Sequence, residues 1–206
     1  MILSSYFLQK HKLAKVAVLS LFLGTLALTA CNAVEGESSV SLLKDGAVKA
    51  TIVEDFDKSY YDKDELQQMI LEEVVSYNRQ LGEDAVSVDK VSVENGVARV
   101  EMTYADSTAY AAFNGGAFFL GSVTDAQEAG YDLTKVFVSA TDQLVTAGMT
   151  DILEMRDARI LITDMKDPVV LDGKAVYVSG NVKTDKKCKT VSFDEASEEM
   201  AYIIYK

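Results

Sequence analysis

The chain has 206 residues, 49% of them apolar, with 20 basic residues against 32 acidic ones and a formal net charge of −12. That apolar share supports a packed core rather than a disordered chain, and the acidic balance speaks against nucleic acid as a partner and against a surface that grips anionic lipid headgroups. One histidine, His11, and no tryptophan narrow the chemistry further.

The first thirty residues differ from the rest. Lys10, His11, Lys12 and Lys15 form a basic leader without an acidic residue, and an apolar run follows from Val16 to Ala30. A positive head, a short apolar stretch and small residues at its exit mark a secretory signal, with the positive end held on the cytoplasmic side. At about 15 residues, the run is short of the roughly 20 that a spanning helix needs. The exit reads Leu28-Thr29-Ala30-Cys31. It resembles the lipobox of bacterial prolipoproteins, a Leu, two small residues and a Cys whose sulfur is the nucleophile that takes the lipid. The resemblance implies recognition of Leu28, Thr29 and Ala30 by the signal peptidase, cleavage before Cys31 and a diacylglyceryl thioether on Cys31. The expected location is then the extracytoplasmic face of the cell membrane, where the chain is held by acyl groups. Two or three acyl chains make a durable anchor, because each buried methylene contributes about 0.8 kcal/mol.

Without residues 1–30, about 176 residues remain, enough for one domain with a real core. The leader holds three basic residues and no acidic one, so the remainder has 17 against 32 and a formal charge of −15. The leader also takes the only histidine with it. Ser-His-Asp and Cys-His catalysis, histidine-bound zinc and histidine pH switches are thereby excluded from the mature part. Cys188 is the one thiol besides Cys31, so an acylated Cys31 leaves no disulfide within the chain. Lys186, Lys187 and Lys189 around Cys188 favour a thiolate, the alternative being an incidental strand or loop cysteine.

Residues 31–39 read as a flexible linker and 40–206 as the folded domain. A hairpin over Ser41–Val53 is predicted at Asp45-Gly46. A helix over 62–81 follows, with Asp62 as cap and Glu65 three residues on as its capping-box-like partner. Leu66, Met69, Ile70, Val74, Tyr77 and Leu81 recur at steps of three and four, Leu71 and Val75 widen that stripe, and Gly82 ends the helix. A second hairpin spans Val86–Tyr104 and turns at Asn95-Gly96. Ala98, Val100, Met102 and Tyr104 alternate onto a buried face. Val86 and Val88 are out of phase with Val91 and Val93, which predicts a bulge near Asp89-Lys90. Asp106 caps a short helix through Phe113 that Asn114-Gly115-Gly116 ends. A strand at Ala117–Leu120 and a short helix from Thr124 to Ala129 come next.

The second half is rich in strands: 136–138, 160–162, 169–171, 175–178, 190–193 and 200–205, with a short helix over 150–155. Asp172-Gly173 reads as a third hairpin turn. Hairpins with helices between them predict an α+β fold, a largely antiparallel sheet packed by one long helix and several short ones. A division into two lobes, if the domain has one, falls at residues 132–150.

Residues that could carry chemistry each have a plainer explanation beside them. Glu54-Asp55-Phe56-Asp57 with Asp62, Asp64 and Glu65 lacks the alternation and central glycine of a calcium loop, and reads as a solvated loop and a helix cap. Tyr60 and Tyr61 present rings to a sugar or peptide, or else pack at the helix start. Tyr110–Gly116 lacks the lysine and spacing of a phosphate loop. No G-x-S-x-G elbow and no C-x-x-C pair occurs. Thr51–Asp62, Tyr110–Gly115 and Ala201–Lys206 resemble small surface lipoproteins of unassigned role from anaerobic Gram-positive bacteria. That resemblance transfers no catalytic, cofactor or metal residue. The expected function is a non-catalytic, lipid-anchored module that binds a small molecule or protein partner. The alternative is a cell-envelope hydrolase working with paired carboxylates.

Overall fold

The computed structural model describes residues 36–206. The leader, the Leu28-Thr29-Ala30-Cys31 segment and linker residues 32–35 lie outside the described residues. The elements run β1 (Ser39–Leu42), β2 (Val48–Asp55), α1 (Lys63–Leu81), β3 (Val86–Glu94), β4 (Val97–Tyr104), α2 (Ser107–Asn114), β5 (Phe118–Ser122) and α3 (Val123–Glu128). Then come β6 (Phe137–Ser139), β7 (Thr146–Ala147), α4 (Met149–Leu153), β8 (Arg159–Thr163), β9 (Val169–Val170), β10 (Ala175–Ser179), β11 (Val182–Thr184), β12 (Thr190–Phe193) and β13 (Ala201–Tyr205). They build two sheets, one ordered β11-β12-β9-β1-β2-β4-β3 and one ordered β5-β8-β13-β10-β6-β7. Every strand pair is antiparallel except β1 with β9. The α+β fold with largely antiparallel pairing is the one the hairpin pattern predicts.

Local chemistry sets the first half. Asn95 and Gly96 both take left-handed backbone, φ +52° and +77°, which suits the twist of the β3–β4 hairpin. The β3–β4 register slips between Val88 and Lys90, leaving Asp89 as the bulged residue. The slip turns Asp89 to the outer face, where it accepts from the Thr103 hydroxyl at 2.8 Å and lies 3.4 Å from the Lys49 ammonium. Ala98, Val100, Met102 and Tyr104 face inward and are fully buried. Helix α1 starts at the Asp62 carboxylate, which accepts the Asp64 and Glu65 N–H groups at 2.8 and 3.0 Å. It ends where Gly82, at φ +75°, donates back to the Asn78 carbonyl.

The helix buries a narrower stripe than its sequence pattern suggests. Leu66, Ile70 and Val74 are buried and Met69 and Tyr77 pack beside them, whereas Leu71, Val75 and Leu81 are exposed. The helix lies along β3 at the sheet edge, so one row of side chains meets the sheet and the next faces away. Asn78 fixes this contact by bonding both the N–H and the carbonyl of Val86, at 3.0 and 2.8 Å.

One core fills the space between the inner face of the seven-stranded sheet, α1, α2 and one face of the six-stranded sheet, with Leu161, Val178, Ile203 and Tyr205 from the latter. The other face of the six-stranded sheet carries Ile160, Ile162, Tyr202 and Ile204 and packs against Val123 and Ala126 of α3 and Ile152 of α4. From β8 onward the chain shuttles between sheets: β8, β10 and β13 belong to one, and β9, β11 and β12 to the other.

The Asp172-Gly173 turn is therefore not a hairpin turn, because the strands on either side of it, β9 and β10, lie in different sheets. What the turn needs is close approach. A Cβ on Gly173 would stand 2.4 Å from the Lys206 carbonyl oxygen. Next to it, Lys174 and Lys206 exchange backbone hydrogen bonds of 2.7 and 3.0 Å. Strands β7 and β11, two and three residues long, are too short to show a period in the sequence.

Candidate functional site

The residues assigned a role by sequence, Leu28, Thr29, Ala30 and Cys31, all precede the described residues. Ser38 is the first residue with a recorded grip on the fold. Its hydroxyl accepts from the Val53 N–H at 2.9 Å and donates to the Val53 carbonyl at 3.3 Å, fixing the chain against β2. Seven residues, 32–38, separate Cys31 from β1. Fully extended, a stretch of that length spans about 25 Å, which is the upper limit on the distance from Cys31 to β1.

The pole of the seven-stranded sheet where the chain comes in is acidic. Glu54 and Asp55 end β2, Glu94 ends β3, Asp57 follows Phe56, and Asp167 precedes Pro168, whose carbonyl accepts the Val40 N–H. Burial pushes the Glu54 carboxyl above its ordinary range, with Asp55 and Asp167 adding to the effect. Burial also raises Asp167. This is the carboxylate pair that a hydrolase reading would choose. Both side chains nevertheless stay open to water, so neither is sealed in the way a general acid that keeps its proton at neutral pH requires.

Both carboxyls bind their protons more tightly in the folded chain than in the unfolded one. Their charge therefore costs stability above the folded pKa, and the cost is relieved as the pH falls through it. Glu54→Gln with Asp167→Asn is expected to leave the melting temperature at pH 7 unchanged or slightly raised. The gap should shrink as the pH falls into the carboxylate range. Thermal unfolding of both proteins across that range checks this; a clear loss at pH 7 would mean that these carboxylates hold the fold together.

The other sequence candidates resolve into packing and turns. Tyr61 sits between Phe56 and Tyr60, with ring centroids 5.0 and 4.9 Å away, ahead of α1. Tyr110 and Phe113 are buried, and the Tyr104 ring meets both edge-on. Gly115, at φ +72°, closes α2 on the Ala111 carbonyl, and Gly116 is pressed against Met165. That geometry ends a helix rather than cradling a phosphate. Among the described residues, no three His, Cys, Asp or Glu side chains converge to hold a metal ion.

A small polar cluster lies at the far end of the six-stranded sheet. Arg159 donates to Asp172 at 2.5 Å and its guanidinium lies 5.5 Å from the centre of the Tyr205 ring. Burial raises the Tyr205 hydroxyl pKa, with Asp172 adding to the effect. The Tyr205 hydroxyl and the second Asp172 oxygen are buried without a hydrogen-bond partner among the described residues.

Cys188 is buried, at φ +55°, with its Sγ 3.5 Å from the Ala140 carbonyl oxygen to which it donates. It serves as a plug rather than a surface thiol, and the lysines on either side of it face water. They belong to a feature that composition conceals. Lys174, Lys186, Lys187, Lys189 and Lys206 are all exposed, and strand register and backbone bonds bring them to the pole opposite Ser38. The Lys-Lys-Cys-Lys run was legible; that the fold brings Lys174 and Lys206 to it was not.

No protein-family model, no curated protein and no solved structure matches this chain.

Proposed function

We propose that the chain is a lipid-anchored extracytoplasmic module that binds a small molecule or a protein partner and performs no catalysis of its own. The observation that carries the anchor is Leu28-Thr29-Ala30-Cys31, in register behind a basic leader and an apolar run. Two features support it. The fold takes hold at Ser38, a short reach from Cys31, and no helix among the described residues is long and apolar enough to cross a membrane. The non-catalytic part rests on the mature chain's lack of histidine and on the open setting of Glu54 and Asp167.

Intact mass of the protein extracted from membranes tests the anchor. A mass equal to Cys31–Lys206 plus acyl chains is expected. An unlipidated mass, or one retaining residues 1–30, would overturn the reading. The raised Glu54 and Asp167 keep the envelope-hydrolase reading as second choice. Release of reducing ends from wall glycan by the natural protein, abolished in Glu54→Gln and Asp167→Asn, would put it first.

A further inference from the structure

We propose that the pole opposite Ser38 is a second membrane contact, docking on anionic lipid headgroups through Lys186, Lys187 and Lys189 while Leu144 enters the bilayer interface. The inference deepens the anchored reading and rests on it. The chain's average charge points away from such a surface; the fold concentrates basic residues where the average has none.

Strand pairing places the parts. Thr190 lies opposite Val170, and Val170 opposite Ser41, so residues 186–189 continue past the far end of β1. In the other sheet, the Ala140 N–H bonds the Val176 carbonyl, which carries the loop after β6 toward that same pole. The two loops are tied together. Cys188 Sγ and the Thr184 hydroxyl both donate to the Ala140 carbonyl, and the Ala175 N–H donates to the Cys188 carbonyl at 2.7 Å. Lys174 and Lys206 flank the lysine turn through their paired backbones.

The turn is built to present its cations. Asp185 is its only acid. Burial works against the Asp185 charge, but the N–H groups of Thr190, Lys189 and Lys187 outweigh that and hold its pKa below the ordinary range. The carboxylate's hydrogen bonds go to backbone, while its charge still faces Lys187. Among the described residues, no ion pair is recorded for Lys174, Lys183, Lys186, Lys187, Lys189 or Lys206. Cys188 anchors the turn from beneath.

Four residues beyond Ala140, in the loop that the Cys188 and Thr184 bonds tie to this turn, stands Leu144, 93% exposed, with Val145 next to it. Asp142 shapes their loop, its carboxylate and carbonyl accepting the Leu144 and Val145 N–H groups at 3.0 and 2.9 Å. The acidic groups at or near this pole are Asp185 in the turn, Asp142, the Arg159-paired Asp172, Asp45 in the β1–β2 turn beside Lys44, and Glu154 and Asp157, which share a surface pocket with Lys206. An aliphatic tip next to unpaired lysines matches a bilayer interface, with anionic headgroups above apolar chains. Exposed Leu and Lys without an aromatic or arginine anchor fit a protein partner less well. The tether permits the contact. Residues 32–38 reach about 25 Å, the length of an eight-residue strand such as β2, so a lipid at Cys31 and this pole can share one bilayer.

The test uses the lipidated protein in phosphatidylcholine vesicles, with or without about one third phosphatidylglycerol. Leu144→Cys carries an environment-sensitive fluorophore; Cys31 is acylated and Cys188 buried, so the label sits at the tip. In anionic vesicles the emission should shift to the blue and be quenched by nitroxide lipids, by at least about threefold over neutral vesicles and reversibly with salt. The combined Lys186→Glu, Lys187→Glu and Lys189→Glu variant should lose this while keeping its melting temperature. The variant Lys58→Glu, Lys63→Glu and Lys90→Glu, of equal charge, should keep it. A water-like label in anionic vesicles, equal signals in both vesicle types, or loss in the distal variant as well would overturn the proposal. Intact mass of the same preparation separates a missing lipid from a missing contact.

Discussion

Replacing Cys31 with alanine is expected to release the protein from membranes without altering its melting temperature. The acyl chains need the Cys31 sulfur, and at about 0.8 kcal/mol per buried methylene they dominate the proposed attachment. The apolar run before Cys31 is too short to take over as a spanning helix. Cys31 precedes Ser38, the first described residue with a recorded hydrogen bond to the fold, so the substitution is expected to leave the melting temperature unchanged. Fractionation of cells carrying Cys31→Ala, followed by thermal unfolding of the released protein, measures both parts. Stable retention in the membrane fraction would remove the lipobox assignment. The lysine pole alone should not hold the protein, because a basic patch without a lipid chain is one signal where durable anchoring takes two.

Gly173→Ala is expected to be among the most damaging single substitutions in the domain. Its Cβ would stand 2.4 and 2.6 Å from the carbonyl oxygen and carbon of Lys206. Both are backbone atoms, fixed by the reciprocal Lys174–Lys206 hydrogen bonds. A flexible side chain could swing aside, but here β10 and β13 must separate. The shift also disturbs Asp172 and with it the pairing to Arg159 over the Tyr205 ring. Overpacking of this kind costs about 3 kcal/mol. In a domain of this size that lowers the melting temperature by roughly 6 to 12 °C. Gly180 provides the matched control. Nothing lies within 4 Å of its Cβ position, so Gly180→Ala should stay within about 0.5 kcal/mol of the parent. Urea denaturation of the three proteins decides the matter; equal midpoints would mean that the chain end yields without cost.

These two positions also show what the sequence could and could not disclose. Turn chemistry is local, and so Asp45-Gly46 and Asn95-Gly96 place their hairpins correctly. The bulge at Asp89 was readable because a one-residue slip changes the phase of Val86 and Val88 against Val91 and Val93. Asp172-Gly173 has the same dipeptide chemistry as the first turn but joins strands of separate sheets. A turn pair reports how the backbone bends, not which strand it next meets. Leu71 and Val75 mislead for a related reason: periodicity gives an apolar row, and the width of the sheet beneath decides how much of it is covered. The proposed tether rests on a linear motif, so the residues that argue for it stand in one window. The lysine pole is assembled by strands far apart in the chain, and no window of sequence contains it. Asp185 is held by three backbone N–H groups as well as by the charge of Lys187, a role that the sequence does not show.

The placement of β13 bears on how the chain reaches its proposed location. This strand, the last among the described residues, lies between β8 and β10 and is buried along its whole length. A chain that leaves the cytoplasm amino terminus first presents Ala201–Tyr205 after every other described strand. Until then, β8 and β10 have no partner between them, and the six-stranded sheet stays open on both sides of the gap. Long-range pairing of this kind is slow to form. Such a delay would suit the proposed export, because translocation moves an unfolded thread and a late β13 leaves the six-stranded sheet open until the other described strands have crossed.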